Sequence, residues 1–358
     1  MIINLTNLKQ MSGQAGQAGQ AGQARQARQA RQSGLIQEGT YGCVVSPPMP
    51  CVKSKKNVNG NTQRRVGKVI RLKDSVPELT MATVIKSIDG WQRYFIVPED
   101  DSCDAANFKS HRDEYEKMCK VYRGTSDYQL TQLISPYAGV TIRNMNILSN
   151  FDFLGSLRHV LEGVSLLNKQ GVCHFDLHDG NVLVDVRGTF RIIDFGSSFY
   201  GDTIDEKGVR RHLYAFSPEF PPQPPEMSIQ NGIYGGMSIV DGLEQTMKQK
   251  RVFHLAARLL GLPQPKQRDD LAKFWREDTT WKGESWVSFF HAYWRVWDSW
   301  AVGVLFIEIL QKCFLLPGFL TTTWVTDSAK IKTVLKGLLA SSPAQRMTAE
   351  AALSALAL

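Results

Sequence analysis

The chain has 358 residues, enough for one large two-lobed domain or two ordinary ones, and its 43% hydrophobic and 21% charged content is ordinary for a soluble globular protein. The formal net charge is +8, but four of the positive residues fall within the first 33 residues, which contain no acidic residue. The remaining excess is modest, and no stripe of Lys and Arg interleaved with aromatic residues occurs, so we exclude specific nucleic-acid binding as the main activity.

The six cysteines are scattered without a C-x-x-C pair, and no window reaches the roughly 18 apolar residues of a membrane helix. Residues 1–11 lack the long apolar run of a secretory signal. These features predict an intracellular, cytoplasmic protein without a membrane partner, in which reduced cysteines act as buried apolar side chains. A zinc site is the alternative interpretation, although the usual ligand spacing is absent.

A three-residue repeat, GQAGQAGQAGQARQARQARQ, occupies residues 13–32. Collagen is excluded, because glycine stops recurring after Gly22 and the repeat contains no proline. The glycines oppose a helix, and no apolar side chain larger than alanine could anchor the segment. We predict a disordered, basic, low-complexity tail over 1–33, with docking to an acidic partner as the alternative role.

The segment after the tail predicts a small, mainly antiparallel lobe with one helix. Apolar pairs flank Gly39–Gly42 and predict a hairpin, and a long polar loop follows over 47–65. Pro77 predicts the start of a helix, because apolar residues beyond it recur mostly at three- and four-residue steps. Further strands are predicted at Val66–Leu72, Tyr94–Val97 and Leu130–Ile134.

Beyond Tyr137 the pattern predicts a larger, mainly helical lobe. Phe151–Leu167 has the apolar period of a helix, and Asp298–Leu310 is so apolar that its helix must be buried. Two short strands are predicted at Asn181–Val184 and Phe190–Ile193. Further helices are predicted at Met247–Leu260, Trp286–Trp297 and Ala329–Leu358, the last with a break at Ser341–Pro343.

Two motifs of the small lobe suit phosphate binding. Gln37-Glu38-Gly39-Thr40-Tyr41-Gly42-Cys43-Val44 places two glycines between strands, where backbone N–H groups can approach phosphates closely. Val66-Gly67-Lys68-Val69 places a lysine in an apolar strand, where its ammonium needs an anion. Each motif alone is also compatible with a plain turn or with a lysine that reaches solvent along its strand.

The most specific motif is His174-Phe175-Asp176-Leu177-His178-Asp179-Gly180-Asn181, followed thirteen residues later by Asp194-Phe195-Gly196. Phosphoryl transfer needs a base that orients the attacking hydroxyl and oxygen ligands for Mg²⁺. Asp176, Asn181 and Asp194 supply these groups at the spacing expected of one loop and the hairpin that follows it.

Three downstream segments complete the pattern: Pro224-Pro225-Glu226, Asp298-Ser299-Trp300-Ala301-Val302-Gly303 and Ser342-Pro343-Ala344-Gln345-Arg346. Glu226 and Arg346 are predicted to form a buried ion pair, because either charge would be costly to bury alone. Asp298 begins the buried helix and is predicted to accept N–H groups from the catalytic-loop backbone.

In this order the motifs resemble the eukaryotic-type protein kinase superfamily over about residues 35–358. The resemblance implies a two-lobed α+β fold, with a small antiparallel β lobe containing one helix at 34–135, a larger mainly α lobe at 136–358 and an insertion at about 227–297. It implies ATP and Mg²⁺ as cofactors, Asp176 as catalytic base, and Asn181 and Asp194 as metal ligands. The implied nucleotide-binding positions are Gln37, Gly39, Thr40, Tyr41, Gly42, Val44, Gly67, Lys68, Glu78, Ser135, Tyr137 and Leu183.

Within that set, the resemblance implies that Lys68 anchors the ATP phosphates and that Glu78 pairs with Lys68. Ser135-Pro136-Tyr137-Ala138-Gly139 is similar to the hinge that contacts adenine, with Ser135 as a small gatekeeper residue. The positions that sandwich the adenine ring are implied at Val44, Gly67 and Leu183.

The chain departs from the family pattern at three positions of the site. Gln37 replaces the first glycine of the loop. Phe175 replaces an arginine that meets a phosphorylated activation loop in the family, which predicts activity without that switch. His178 replaces a lysine, as in haspin-type kinases and in aminoglycoside and choline phosphotransferases. We predict catalytic contact of His178 with the γ-phosphate, or alternatively a neutral imidazole bonded to the backbone or to Asp179.

Together these features predict an ATP-dependent serine/threonine protein kinase that acts on a protein substrate, with a monomer favoured. A small-molecule phosphotransferase and a pseudokinase scaffold are the alternatives. The Pro-Pro-Met-Pro-Cys segment that begins at Pro47, the hinge and the insertion also resemble kinases of large nucleocytoplasmic DNA viruses. That narrower resemblance implies a viral protein of the host cytoplasm or the virion.

Overall fold

The computed structural model describes residues 34–38, 42–49, 64–99, 102–103, 116–117, 119–126, 129–148, 150–282 and 285–357. The predicted basic tail over 1–33, the predicted loop residues Gly39, Thr40 and Tyr41, and most of the predicted 47–65 loop lie outside these ranges.

The small lobe is built on one antiparallel sheet of five strands in the order β1-β2-β3-β5-β4. The predicted hairpin is confirmed, and β3 extends over seven residues that pair along their whole length with β5. Its central residues Val69 and Ile70 are buried, which explains why an apolar strand forms here. The strands are β1 Gly34–Glu38, β2 Gly42–Ser46, β3 Arg65–Arg71, β4 Ser102–Cys103 and β5 Leu130–Pro136.

Helix α1 spans Leu72–Lys86 and begins immediately after β3, not at Pro77 as predicted. The residue before a proline disfavours helical geometry, so the sequence suggested a boundary there. The helix nevertheless runs through Pro77, because Ser75, Glu78 and Ile85 on one face are buried against the rest of the protein. Tertiary packing therefore outweighs the local cost of the proline.

The predicted strand at Tyr94–Val97 is wrong. This segment makes only an isolated bridge, Phe95 to Ile192, and the edge strand of the small-lobe sheet is β4. The Ile96 N–H donates to the Ile192 carbonyl at 3.0 Å, and the Ile192 N–H donates to the Tyr94 carbonyl at 2.8 Å. Burial of Phe95 and Val97 accounts for the apolar pattern, and the segment joins the two lobes.

A separate small core lies between β2 and the turn at Lys120–Tyr122, and it includes Val45, Met49 and Tyr122. A disulfide joins Cys43 and Cys119 within it. The prediction that the cysteines are reduced apolar fillers is therefore wrong for this pair, which the 76-residue separation in sequence gave no means of matching. Cys173 and Cys313 are buried and free.

The large lobe packs around the apolar helix α9, whose residues are buried almost throughout. Its neighbours in the lobe include α2 and α11. The predicted break near Ser341–Pro343 is confirmed as a short 3-10 turn between two helices. The helices outside the 227–297 segment are α2 Phe153–Lys169, α3 Glu206–Arg211, α9 Trp297–Cys313, α10 Pro317–Thr321, α11 Thr323–Leu338 and α12 Ala349–Ala357.

In the large lobe, short strands flank the loops that carry the candidate site residues. The predicted hairpin of two short strands is confirmed as β8 and β9, and β6 pairs with β8 beside the end of the hinge. A second pair, β7 with β10, closes the loop between residues 173 and 199. The strands are β6 Val140–Thr141, β7 Val172–Cys173, β8 Val182–Val184, β9 Phe190–Ile192 and β10 Phe199–Tyr200.

The segment at 227–297, which the sequence left largely unassigned, is mostly helical in the residues described. Aromatic packing among Trp275, Trp281 and Phe289 ties its helices together and to the core. The helices are α4 Pro225–Tyr234, α5 Ile239–Gln249, α6 Arg251–Leu255 with a π-turn at Ala256–Leu260, α7 Gln264–Glu277 and α8 Val287–Tyr293.

The protein is therefore a mixed α+β molecule with a small antiparallel lobe and a larger helical lobe, a two-lobed kinase-like fold, as predicted. Within the described ranges, no helix combines the length and apolar character needed to cross a bilayer.

Candidate active site

Lys68 projects from β3 into the space between the lobes. Its Nζ donates to Glu78 Oε2 of α1 at 2.8 Å and to Asp194 Oδ1 of the large lobe at 2.7 Å. The Lys68 side chain is 19% exposed and that of Glu78 7%, so this pair is largely desolvated, whereas the Asp194 side chain is 35% exposed. The structure thus brings together three predicted residues that are far apart in sequence, Asp194 lying 126 residues from Lys68.

The three charges determine one another's ionisation. Burial favours the neutral amine of Lys68, but the two carboxylates outweigh burial and raise the pKa of Lys68 above its ordinary value. Burial likewise opposes ionisation of Asp194, and the ammonium outweighs it, which lowers the pKa of Asp194. For Glu78, burial outweighs the ammonium, so its pKa is raised.

The sheet registers show which residues share the cleft face with Lys68. Val44 and Leu133 lie directly opposite Lys68 on the neighbouring strands, so their side chains are on its face. Val66 and its partner Ser135 lie two residues along on that same face, which places the predicted gatekeeper beside the cleft.

Gly67 does not share this face, which corrects its predicted place against the adenine ring. It alternates with Lys68, and a Cβ built on it would collide with the buried Gln132 side chain on the far face of the sheet. Val66 occupies the cleft-side position instead. A count of two residues back from Lys68 would have identified Val66 in the sequence.

The glycine-rich loop is described only at its two ends. Gln37 lies in β1, and Gly42 begins β2 opposite Ile70. A Cβ at Gly42 would collide with the Val69 carbonyl, so glycine is required where β2 crosses β3.

The loop at 174–181 is anchored by Asp298, which lies at the start of α9. Its Oδ2 accepts the His174 N–H at 2.7 Å, and its Oδ1 accepts the Phe175 N–H at 2.9 Å, which confirms the predicted contact. The His174 imidazole Nε2 also lies 2.9 Å from the Ile193 carbonyl, next to Asp194. Asp298 is buried and links the loop backbone to the core helix.

Asp176 and Asn181 face each other across this loop. Asn181 Nδ2 donates to the Asp176 carbonyl at 2.9 Å and to its Oδ2 at 3.3 Å. The amide nitrogen is thereby used, which leaves the amide oxygen of Asn181 as the group able to bind a cation. Burial raises the pKa of Asp176, and the nearby His178 and His174 only partly offset it.

His178 makes the backbone contact that was predicted as the alternative to phosphate contact. Its Nδ1 accepts the Gly180 N–H at 2.9 Å and lies 3.6 Å from Asp179 Oδ1. Its Nε2 lies 3.9 Å from Asp176 Oδ1, which leaves that nitrogen beside the Asp176 carboxylate.

Arg143 is a site residue that the sequence analysis missed. It binds Asp179 through two hydrogen bonds, Nε to Oδ2 at 3.1 Å and a terminal nitrogen to Oδ1 at 2.8 Å. The His178 imidazole and the Arg143 guanidinium hold the pKa of Asp179 well below its usual range. A lone arginine shortly after the hinge carries no pattern that would have revealed this contact.

Two further predicted positions, Leu183 and Tyr137, lie in β8 and in the hinge. Leu183 is the half-buried residue of β8, between the buried Val182 and Val184. The Tyr137 N–H donates to the Arg64 carbonyl at 2.8 Å, which ties the hinge to the start of β3.

Phe175 has left-handed backbone geometry, with φ of 66°, and its ring packs among aromatic side chains rather than facing a charged group. Ring centroids lie 5.4 Å away at Phe199, 5.2 Å at His212 and 5.6 Å at Trp297. The position that holds a phosphate-reading arginine in the family pattern is thus part of an apolar cluster here.

Glu226 and Arg346 form the predicted ion pair. Two parallel bonds of 2.7 and 2.8 Å join them, and neither side chain is exposed. The pair connects the first turn of α4 to the short 3-10 turn before α12.

The donor set suits a magnesium nucleotide. The contacts described above use Asp194 Oδ1 and Asn181 Nδ2, so the second carboxylate oxygen of Asp194 and the amide oxygen of Asn181 could bind a cation. Mg²⁺ prefers such hard oxygen ligands. The Asn181 carbonyl accepts the Ile193 N–H at 2.9 Å, which holds the two candidate ligands in adjoining segments. Lys68 offers a positive charge for phosphate in the same cleft.

Comparison with known proteins gives partial matches. A model of the phosphotransferase enzyme family, APH, matches residues 153–206, which include the catalytic loop and Asp194. A probable serine/threonine-protein kinase, mkcD, of Dictyostelium discoideum is 33% identical over 85 residues, 22% of this chain and 13% of that protein. The serine/threonine-protein kinase PSK1 of Saccharomyces cerevisiae is 40% identical over 53 residues, 15% of this chain and 4% of that protein.

The chain therefore spans only a small part of the length of these curated relatives. The matches and the fold together support a protein-kinase-like phosphotransferase.

Proposed function

We propose that this protein is an ATP-dependent serine/threonine protein kinase. The observation that carries the proposal is the Lys68 ammonium held at 2.8 Å from Glu78 and 2.7 Å from Asp194, in the cleft that also contains Asp176 and Asn181. Phosphoryl transfer depends mainly on positioning and on neutralising negative charge, and this arrangement provides both.

In the proposed mechanism, Lys68 orients the α- and β-phosphates and Glu78 holds Lys68 in place. Asp176 orients the acceptor hydroxyl and takes up its proton as the hydroxyl oxygen attacks the γ-phosphorus. The bond from the γ-phosphorus to the β–γ bridging oxygen breaks, and ADP leaves. Asn181 and Asp194 would hold Mg²⁺, which supplies charge neutralisation at the phosphates when bound.

The adenine site would be lined by Val44, Val66 and Leu183, with Ser135 and Tyr137 at the hinge. Backbone N–H groups of the loop from Gln37 to Gly42 would cover the phosphates. His178 would contribute through Nε2, which lies nearest Asp176.

Two features favour a protein as the acceptor. The buried Glu226–Arg346 pair and the Asp298 contacts are the pieces by which the sequence resembles protein kinases, and both are formed. The names of both relatives are those of serine/threonine-protein kinases.

A small-molecule phosphotransferase is the second candidate, because the phosphotransferase enzyme family model matches the segment that holds Asp176, Asn181 and Asp194. That segment alone does not distinguish the two acceptor classes. The acceptor panel of the experiment must therefore contain both.

The test is transfer of radiolabelled phosphate from ATP in the presence of Mg²⁺. Wild-type protein is incubated with a mixed protein panel and, separately, with aminoglycosides and choline, and labelled proteins are subjected to phosphoamino-acid analysis. We expect phosphoserine and phosphothreonine, and a loss of at least about a hundredfold in Asp194→Asn. Asp269→Asn, an exposed aspartate on α7, is the matched control and should retain full activity.

Label on the small molecules alone would support the second candidate. Binding of magnesium nucleotide without transfer to any acceptor would contradict both.

A further inference from the structure

A completely buried lysine, Lys250, lies at the junction of α5 and α6, within the segment at 227–297. Lysine is almost never fully buried without partners, because removing an ammonium from water is costly. The proposed phosphoryl transfer assigns Lys250 no role. Its burial therefore requires hydrogen-bond partners inside the protein.

The partners of Lys250 are two carbonyl groups of one loop. Its Nζ donates to the Phe220 carbonyl at 2.9 Å and to the Gln223 carbonyl at 2.9 Å. Residues 217–224 form this loop, which we call the acceptor-side loop. Its sequence, Ser-Pro-Glu-Phe-Pro-Pro-Gln-Pro, is half proline, so it contains few N–H groups to satisfy its own carbonyls.

A second hydrogen-bond donor, from the core helix α9, binds the same loop. Trp300 Nε1 of α9 donates to the Pro221 carbonyl at 3.1 Å. Lys250 and Trp300 together thus bind the carbonyls of three of the four residues from 220 to 223. The loop is held by side chains from other elements and not by regular secondary structure.

Charge pairing alone does not explain Lys250. Glu226 lies close enough to favour its ammonium, but both oxygens of Glu226 already bind Arg346. The direct hydrogen bonds recorded for Lys250 Nζ go to the loop. A neutral amine also keeps two N–H groups, so both contacts can persist without the positive charge.

The acceptor-side loop borders the catalytic residues. The Phe220 ring centroid lies 6.2 Å from the His178 imidazole, and His178 Nε2 lies 3.9 Å from Asp176 Oδ1. The Phe220 side chain is 42% exposed, so part of its ring is open to solvent beside His178. A path of three contacts therefore runs from Lys250 through Phe220 and His178 to the catalytic aspartate.

We propose that Lys250 is a positioning residue that fixes the acceptor-side loop beside Asp176, so that the segment at 227–297 preorganises the surface that receives the protein substrate. This inference rests on the proposed kinase function. Loss of the lysine should loosen the loop and weaken engagement of the protein acceptor, while the nucleotide site around Lys68 stays intact.

The experiment compares wild-type protein with Lys250→Met, which keeps most of the side-chain length and removes the donors. Lys248→Met, an exposed lysine near the end of α5, is the matched control. Four quantities are measured: Kd for magnesium ATP by calorimetry, KM and kcat for the protein acceptor, and the rate of amide hydrogen exchange in peptides that cover residues 213–224.

For Lys250→Met we expect faster exchange in these peptides and a KM for the protein acceptor raised roughly tenfold or more, because both hydrogen bonds to the loop carbonyls are lost. The Kd for magnesium ATP should be unchanged. Lys248→Met should match wild type in all four quantities. Lys250→Arg restores a charged donor and should recover at least part of the acceptor KM.

Unchanged loop exchange and unchanged acceptor KM in Lys250→Met would overturn the proposal. An equal loss of nucleotide binding would also overturn it, because it would reveal a general structural role. If Lys250→Met does not fold, Lys250→Gln, which keeps one donor, is judged by the same criteria. If wild type phosphorylates no protein, the kinase proposal fails, whereas the exchange measurement still decides whether Lys250 holds the loop.

Discussion

Two residues of the site adopt backbone geometry that ordinary side chains avoid. Phe175 has φ of 66° and Asp194 has φ of 64°, both in the left-handed region. Such residues cost of order 1–2 kcal/mol and persist only where their surroundings hold them. Here Asp298 binds the Phe175 N–H and Lys68 binds the Asp194 carboxylate, so the strain is held by the contacts that assemble the site.

The ionisation of Asp176 leads to a prediction about catalysis at low pH. Burial raises its pKa, and a protonated Asp176 cannot take up the proton of the acceptor hydroxyl. As pH falls, activity should therefore decline at a higher pH than the ordinary aspartate value of about 3.9 would give. The measurement is kcat/KM across the acid range, and an acid limb at or below that value would contradict the prediction.

At the scale of elements, the Phe175 cluster joins three parts of the large lobe. Phe175 belongs to the catalytic loop, Phe199 and His212 to the segment after Asp194, and Phe290 and Trp297 to α8 and the start of α9. His212 is tied further by its Nε2, which lies 3.1 Å from the Ser197 carbonyl. Aromatic packing thus occupies the position where, in the family pattern, an arginine contacts a phosphorylated residue.

This packing predicts activity that does not depend on phosphorylation of the segment at 194–226. Wild-type protein treated with phosphatase, and shown by mass spectrometry to carry no phosphate, should retain its rate of phosphoryl transfer. The physical reason is that apolar contacts, not a charge pair, hold the segment against Phe175. A large fall in rate after complete dephosphorylation would refute this prediction.

The ion pair between α4 and the turn before α12 makes a prediction about stability. Glu226→Gln should destabilise the protein by about 3–5 kcal/mol, because it leaves the Arg346 charge buried without its full partner. Denaturant unfolding measures the effect. Glu350→Gln, which removes the exposed 3.8 Å contact with Lys169, is the matched control and should change stability by less than about 1 kcal/mol.

At the scale of the whole molecule, Lys250 couples folding to pH. Burial lowers the pKa of Lys250 to about 7. The positive charge of Arg346 also lowers this pKa, whereas the negative charges of Glu226 and Glu219 raise it. Between about pH 7 and the ordinary lysine value of about 10.4, the unfolded chain holds a proton that the folded chain has released. Stability contributed by this group should therefore rise with pH across that window.

The comparison with Lys250→Met isolates the effect. The free energy of unfolding of wild type minus that of the variant should increase from pH 7 to pH 10 and stay flat below pH 7. A difference that is constant with pH would show that Lys250 keeps an ordinary pKa in the folded protein.

How far the sequence predicts the site depends on the kind of residue. Asp176, Asn181 and Asp194 were predicted because their chemistry and short spacing restrict the possible roles, and the structure places them in adjoining segments. Glu78 required a tertiary contact, the 2.8 Å bond to Lys68. Arg143 and Lys250 were not predicted, because an isolated basic residue forms no sequence pattern. The partner of Arg143 lies 36 residues away along the chain, and the partners of Lys250 lie 30 or fewer residues away.

The same division holds for the fold. Strand and helix periods predicted the hairpins, the long β3 and the buried α9, because each depends on the local alternation of apolar residues. Tyr94–Val97 was misassigned, because buried Phe95 and Val97 alternate with half-buried Tyr94 and Ile96, and an extended connection shares this pattern with a strand. The Cys43–Cys119 pairing also depended on a contact between distant segments.

By itself the sequence determined the two-lobed plan and the identity of the groups that suit phosphoryl transfer, because apolar period and chemical type are properties of neighbouring residues. Only the tertiary structure decided that Cys43 pairs with Cys119, that α1 runs through Pro77, and that Lys250 Nζ binds two carbonyls of the acceptor-side loop. Each of these depends on packing between segments distant along the chain, where burial and hydrogen bonding outweigh local preference.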